Sequence, residues 1–211
     1  MSDPSPEAVR LDICPYGDME IVITTPSIDV TYLVSSIQLR SGSTYFRSML
    51  GPHFAEGGRL RSTTPNSRDP VLQVTAEDEF DPTALATVLY VLHAKPQYIP
   101  RTVTSENLLD IAIVCNYYDC APAMRPWDDF WIKSASGVYQ QPGYEYWLFI
   151  SWVFGESNIF EKLTKTFLRK SVIEDGEFGV MVQEKLVRMD PHLPQPIIGT
   201  PASKRRDNSE H

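Results

Sequence analysis

Two hydrophobic periodicities follow one another along this chain, and their order limits the folds that it can adopt. Over residues 19–24 and 28–34 apolar side chains occupy every second position, which is the period of a strand with one buried face. Pro26 interrupts the alternation, so that we expect the two runs to form a hairpin. From Ser36 onward the spacing becomes helical, and only residues 71–75 return to a strand pattern. This order predicts an α+β fold with a small sheet.

Helix boundaries are signalled by capping residues and by breakers. Ser43 is placed to cap a short helix, and Asp81 followed by a proline gives an N-cap and a first-turn proline to another. A further helix begins near Thr104, and Pro126 should break the helical pattern of residues 121–132. The two longer helices carry apolar residues at i, i+3, i+4 and i+7, which predicts core faces. These residues are Leu85, Val88, Leu89 and Leu92, then Leu108, Ile111, Ala112 and Cys115.

Composition divides the chain into four parts. Residues 1–11 are polar with two prolines and are interpreted as a flexible lead, and residues 12–132 carry the strand and helix patterns of one domain. Residues 133–190 are interpreted as a C-terminal helical extension, and residues 191–211 as a disordered tail. Residues 57–70 are rich in Gly, Ser, Arg and Pro, which predicts an exposed loop. Aromatic residues crowd one helix of the extension too densely for a single buried stripe, so that part of that helix should face a partner or the preceding domain.

The side chains that usually carry chemistry form no recognisable catalytic set. There is no nucleophile elbow, dinucleotide-binding glycine motif or phosphate loop in the 211 residues. Cys115 and Cys120 lack two further ligands at a spacing that zinc would need, and buried free thiols are the simpler interpretation. Asp128 and Asp129 are adjacent on a helix and therefore point in different directions, which favours a solvated face over a carboxylate pair. The sequence predicts no enzyme activity, no metal and no cofactor.

Charge and targeting signals bear on location and partners. A formal charge of −8 argues against non-specific binding to nucleic acid, which attracts an excess of Lys and Arg. Three cysteines fit a reducing compartment, and the start of the chain has neither a basic region nor an apolar run. The apolar stretch 146–154 is too short to cross a membrane. We expect an intracellular protein, cytoplasmic or nuclear, in which Lys204–Arg206 is either a solvated part of the tail or a nuclear import signal.

A series of segments resembles the BTB/POZ domain. The segment 17–23 is similar to the opening strand of that family, and the segment 34–50 resembles its most characteristic stretch, with a leucine, a serine and a phenylalanine before Met-Leu. Four further segments are similar in the same order, namely 54–57, 71–74, 85–93 and 108–120. The resemblance covers about residues 12–132. It is greatest to a compact fungal branch whose members carry few or no other recognised modules.

The resemblance implies a BTB/POZ fold, in which a small mixed sheet of short strands is capped by helical hairpins. It also implies a non-enzymatic protein–protein interaction module, namely an adaptor for cullin-type ubiquitin ligases, a homo-oligomerisation domain, or both. Phe54 and Glu56 match the hydrophobic-x-Glu motif through which family members bind cullins, directly after Met49 and Leu50. These four residues are therefore the candidate partner-binding residues, although Phe54 could instead cover its loop against the domain.

Two other functions stay open at this point. A BTB-type transcriptional co-regulator would act in the nucleus and normally carries a DNA-binding module, for which this chain shows no pattern. An enzyme of unrecognised type would need a pocket with convergent titratable groups. The short lead gives little sign of the N-terminal helix and strand that family members exchange, so that a homodimer is left open as well.

Overall fold

Two compact units make up the chain, Met1–Ala135 and Ser136–His211. The computed structural model describes residues 7–26, 28–62, 72–76, 80–135, 145–174, 177–182 and 185–188. The tail, with Lys204–Arg206, lies outside these residues. Within the described ranges, no helix combines the length and the apolar character that crossing a membrane requires.

A four-stranded mixed sheet forms one layer of the first unit. The two central strands are antiparallel and form the expected hairpin, with Met19 paired to Val34 and Thr24 to Asp29. Each edge strand runs parallel to its neighbour, in the order β1-β3-β2-β4. The strands are β1 (Glu7–Asp12), β2 (Met19–Thr24), β3 (Ile28–Val34) and β4 (Leu72–Thr75).

Alternation along the strands separates the two faces of this sheet. On β2 the side chains of Met19, Ile21 and Ile23 are fully buried, and they form the centre of the core together with apolar residues of β3. The opposite face is polar, and there Arg10 on β1 forms ion pairs with Asp12 and with Glu20 of β2. Burial of one face explains why the register follows from the sequence, since a shift by one residue would expose the whole apolar set.

Among the described residues of the first unit, six helices follow or interrupt the strands. Two of them begin at the expected capping residues: Ser43 accepts a hydrogen bond from the Phe46 amide, and Asp81 accepts one from the Ala84 amide. The helices are α1 (Ser36–Gly42), α2 (Thr44–Met49), α3 (Ala55–Ser62), α4 (Pro82–Leu92), α5 (Ser105–Tyr117) and α6 (Trp127–Ala135). Short 3-10 turns occupy Pro96–Tyr98 and Ala121–Met124. The break expected at Pro126 is confirmed, because it separates the second turn from α6.

Two interpretations of irregular segments in this unit are wrong. Residues 7–11 of the presumed flexible lead belong to β1, which pairs with β3 through contacts between residues far apart in the chain. Residues 57–62 of the presumed loop belong to α3, where Glu56 lies in the first turn. The prolines of the lead and the glycines of residues 57–62 locally disfavour strands and helices. Strand pairing in the first place and helix packing in the second outweigh this local preference. The remaining loop residues 63–70 lie outside the described residues.

The second unit begins with a helical pair, α7 (Glu145–Val153) and α8 (Ser157–Lys170). The aromatic residues of α7 differ in burial: Trp147 and Phe149 are buried, whereas Tyr146 is 37% exposed and Trp152 is 44% exposed. Tyr144 lies outside the described residues.

Strands follow the helices in the second unit, so that the prediction of a purely helical extension over residues 133–190 is wrong. The strands β5 (Ser171–Glu174), β6 (Glu177–Val182) and β7 (Lys185–Arg188) form an antiparallel sheet in the order β5-β6-β7. Val172 and Ile173 in β5 and Phe178, Val180 and Val182 in β6 favour strands, and β7 pairs with β6.

Candidate partner-binding site

The hydrophobic-x-Glu segment lies where α2 ends and α3 begins. The Phe54 amide donates to the Gly51 carbonyl at 3.5 Å, and the Phe54 carbonyl accepts from the Gly58 amide at 3.2 Å. The backbone of Phe54 is therefore bonded to α3 and to the turn that follows α2. Its side chain is 53% exposed, so that only about half of the ring is covered by the protein.

Gly57 brings α3 into direct contact with the end of α2. A Cβ atom at this position would lie 2.0 Å from the Gly51 carbonyl oxygen and 2.6 Å from that of Leu50, which is much closer than any allowed contact. A Cβ atom on the neighbouring Gly58 would meet nothing within 4 Å. Only Gly57 thus permits the close approach that places Phe54 and Glu56 beside α2.

The four candidate residues converge on this junction but differ in accessibility. Met49 and Glu56 are half-buried, and Phe54 is exposed. Leu50 is only 3% exposed and packs in the core below the junction. A partner could therefore contact Phe54, Glu56 and Met49, whereas Leu50 supports the surface from beneath.

An aromatic cluster lies beside Met49, and the sequence did not reveal its pairing. Tyr45, one turn before Met49 on α2, has its ring centroid 5.4 Å from that of Tyr117 and 5.3 Å from that of Tyr118. Phe46 stacks on Tyr118 with centroids 4.7 Å apart. Tyr117 is 38% exposed and Tyr45 is half-buried, so that this cluster presents aromatic surface to solvent. Helical spacing could have placed Tyr45 and Met49 on one face, but no sequence signal joins α2 to the end of α5.

Polar contacts hold α2 in place. Ser43 caps α2 and donates its hydroxyl to the Tyr118 carbonyl at the end of α5, and the Thr44 hydroxyl bonds to the Asp119 carboxylate. Arg47 donates from its guanidinium to the Arg40 carbonyl at 3.2 Å, which satisfies the C-terminal end of α1. These contacts connect α1, α2 and α5 and make the surface rigid.

His93 has a structural environment. It is 2% exposed, its Nε2 accepts a hydrogen bond from the Ser35 amide at 2.9 Å, and its Nδ1 lies 2.8 Å from the Leu89 carbonyl. The ring is therefore neutral with the proton on Nδ1, because both contacts are then satisfied. Burial lowers the pKa of His93, and the nearby Lys95 lowers it further.

Cys115 and Cys120 are buried free thiols, as expected, and burial raises the pKa of Cys115 well above its ordinary value.

The prediction that Asp128 lies on a solvated face is wrong, because its side chain is buried. Its Oδ1 accepts from the Asp129 amide at 2.9 Å, and its Oδ2 lies 3.6 Å from Arg125 Nε. Burial raises the pKa of Asp128, whereas Asp129 is exposed. Among the described residues, no three or more His, Cys, Asp or Glu side chains form a group that could hold a metal ion.

No protein-family model matches the chain, and no curated protein matches it.

Proposed function

We propose that this chain is a non-enzymatic protein–protein interaction module of the BTB/POZ type, which presents Phe54 and Glu56 to a cullin-type ubiquitin ligase scaffold. The observation that carries the proposal is the half-exposed ring of Phe54, fixed at the end of α2 by the close approach of Gly57. An exposed aromatic side chain on a rigid backbone is an effective anchor, since it loses little conformational freedom on binding.

The order of elements supports the assignment to this family. The hairpin β2–β3 is followed by the three short helices α1 to α3. The strand β4, which runs parallel to β2, comes next, and the longer helices α4 and α5 follow it. This order agrees with a small mixed sheet capped by helical hairpins. Within this order, Phe54 lies directly before the third helix and Glu56 in its first turn.

The surface around the motif has a composition suited to a protein partner. Phe54 can fill an apolar pocket on the partner, and the Glu56 carboxylate can fix the register by pairing with a basic group. Tyr45 and Met49 lie one turn apart on α2, and Tyr117 extends the aromatic surface from there. An interface needs roughly 800 Å² from each partner, more than one aromatic side chain supplies, so that this neighbouring surface is part of the proposed site.

The test is the affinity of the full chain for the N-terminal domain of a cullin scaffold, measured by biolayer interferometry. The variant Phe54→Ala/Glu56→Ala should weaken binding at least about tenfold, the loss typical of a central anchor. The matched control is Phe130→Ala, because Phe130 has the same 53% exposure but lies on α6. Equal affinities for the wild type and the double variant, or no binding by the wild type, would refute the proposal.

A further inference from the structure

The C-terminal end of α5 forms a Schellman motif that contains the two buried cysteines. The Cys120 amide donates to the Cys115 carbonyl at 3.0 Å, and the Asp119 amide donates to the Asn116 carbonyl at 3.3 Å. Asp119 has a φ of 45°, the left-handed conformation that is typical of this motif. The residues at the two positions occupied by Cys115 and Cys120 commonly contact each other through their side chains. The backbone therefore places the two thiols side by side.

The thiols make the contact that the backbone geometry predicts. Cys115 and Cys120 are hydrogen-bonded to each other through their side chains, and each is 0% exposed. Burial keeps Cys115 in its protonated form, because a charged thiolate is disfavoured away from water. The pair is therefore reduced and slow to react as long as the end of α5 stays closed.

Exposed residues separate the two cysteines in the chain. Asn116, Tyr117 and Asp119 are all exposed, so that the pair lies beneath the surface of a helix end and not deep within a helix. Helix ends open locally at a lower free-energy cost than the core does. Opening of this last turn is enough to admit a small oxidant such as a peroxide, whereas a bulky reagent needs a larger opening.

The segment between the two cysteines also holds α2. The Tyr118 carbonyl accepts from the Ser43 hydroxyl, and the Asp119 carbonyl accepts from the Thr44 amide at 3.3 Å. A covalent bond between the two sulfur atoms closes a ring around this segment and restricts its movement. Oxidation of the pair therefore acts on the contact between α5 and α2.

We propose that Cys115 and Cys120 are a redox-sensitive pair, which a small peroxide converts into an intramolecular disulfide and a thiol reductant restores. In the first step one thiol loses its proton and its sulfur attacks a peroxide oxygen. With hydrogen peroxide the O–O bond breaks, and a sulfenic acid and one water form. The second thiol then attacks the sulfenic sulfur, the S–S bond forms and a second water leaves. Both sulfur atoms are oxidised, and the peroxide is reduced to two waters.

The test compares two full-length variants that each keep two of the three cysteines. Cys14→Ser retains Cys115 and Cys120, whereas Cys120→Ala retains Cys14 and Cys115. In hydrogen peroxide, Cys14→Ser should lose two hydrogen atoms by intact mass spectrometry at least about tenfold faster than Cys120→Ala, because the second step between paired thiols is intramolecular. Dithiothreitol should restore the mass. Chymotrypsin cuts after Tyr117 and Tyr118, so that two linked peptides identify the bridge.

Folding of both variants is checked by circular dichroism, and Cys120→Ser replaces Cys120→Ala if the latter is unfolded. Equal rates of disulfide formation in the two folded variants would overturn the proposal. So would addition of oxygen to Cys14→Ser without a bridge, or a bridge that forms only in urea. These outcomes do not bear on the cullin-binding function, because the proposal concerns thiol chemistry alone.

A second measurement tests the effect of the bridge on the end of α5. In hydrogen–deuterium exchange of Cys14→Ser, the amides of residues 116–120 should exchange at least about tenfold more slowly in the oxidised than in the reduced chain, because local opening is restricted. Unchanged exchange after complete oxidation would contradict the restricted movement of this segment.

Discussion

At the scale of single residues, the environment of a titratable side chain decides its role more than its neighbours in the sequence do. Asp128 and Asp129 are adjacent and identical, yet the first is buried and the second is exposed. Sequence reasoning could place both on one helix, but not show which of them faces the core. The hydrogen bond from the Ser35 amide to His93 Nε2 was equally inaccessible, because it joins the residue before α1 to the C-cap of α4.

His93 makes the stability of the fold sensitive to acid. Its pKa in the folded state is lower than the ordinary value of 6.5, so that the unfolded state binds more protons between these two values. The contribution of His93 is complete above pH 6.5 and is lost as the pH falls through the folded-state pKa. The negative charge of Asp18, which accepts hydrogen bonds from the Ser36 amide and hydroxyl, raises the pKa of His93 and so partly opposes the effect of burial. The positive charge of Lys95 lowers this pKa further.

We expect the free energy of unfolding of the wild type, measured with urea, to fall by on the order of 1 kcal/mol between pH 7.5 and pH 5.5 through this group. His93→Gln should be less stable at pH 7.5 and should show a flatter dependence on pH. His53→Gln is the matched control, since His53 is exposed. Parallel pH profiles for the wild type and His93→Gln would show that His93 is not the responsible group.

At the scale of elements, the sequence predicted the helices and strands that local signals determine. The hairpin β2–β3 follows from alternation, and α4 and α5 follow from N-caps combined with apolar spacing. Two elements of the first unit that were missed depend on packing against other elements. β1 is stabilised by parallel pairing with β3, and α3, which contains two glycines, by its contact with the end of α2. The position of Phe54 between two helices was therefore predicted, but the helix that fixes Glu56 was not.

The contact between α3 and α2 gives the clearest prediction for a single element. Gly57→Ala should reduce the free energy of unfolding by about 1–3 kcal/mol, the usual cost of forcing extra atoms into a packed contact, and should weaken partner binding by displacing Phe54. Gly58→Ala adds the same methyl group in open space, and its better helix propensity should leave the stability equal or raise it by up to about 1 kcal/mol. Urea unfolding of both variants is the measurement. A Gly57→Ala variant as stable as Gly58→Ala would contradict the close packing of α3.

At the scale of the whole molecule, the elements of the first unit could be predicted from the sequence better than those of the second. The first has a mixed sheet whose strands could mostly be located in advance, and the second combines two helices with a three-stranded antiparallel sheet that was expected to be helical. The excess of negative charge agrees with the proposed function, because a register-fixing carboxylate at Glu56 calls for a basic group on the partner.

The proposed partner-binding residues Phe54 and Glu56 lie in one part of the first unit, so that one experiment can test whether a partner binds there. Hydrogen–deuterium exchange of the full chain with and without the N-terminal domain of a cullin scaffold reports which amides become protected on binding. We expect protection over residues 45–60 and around Tyr117, with exchange at residues 83–111 unchanged. Protection confined to residues 83–111, or none in either segment at a saturating concentration of the scaffold, would contradict the assignment of Phe54 and Glu56 as the partner-binding site.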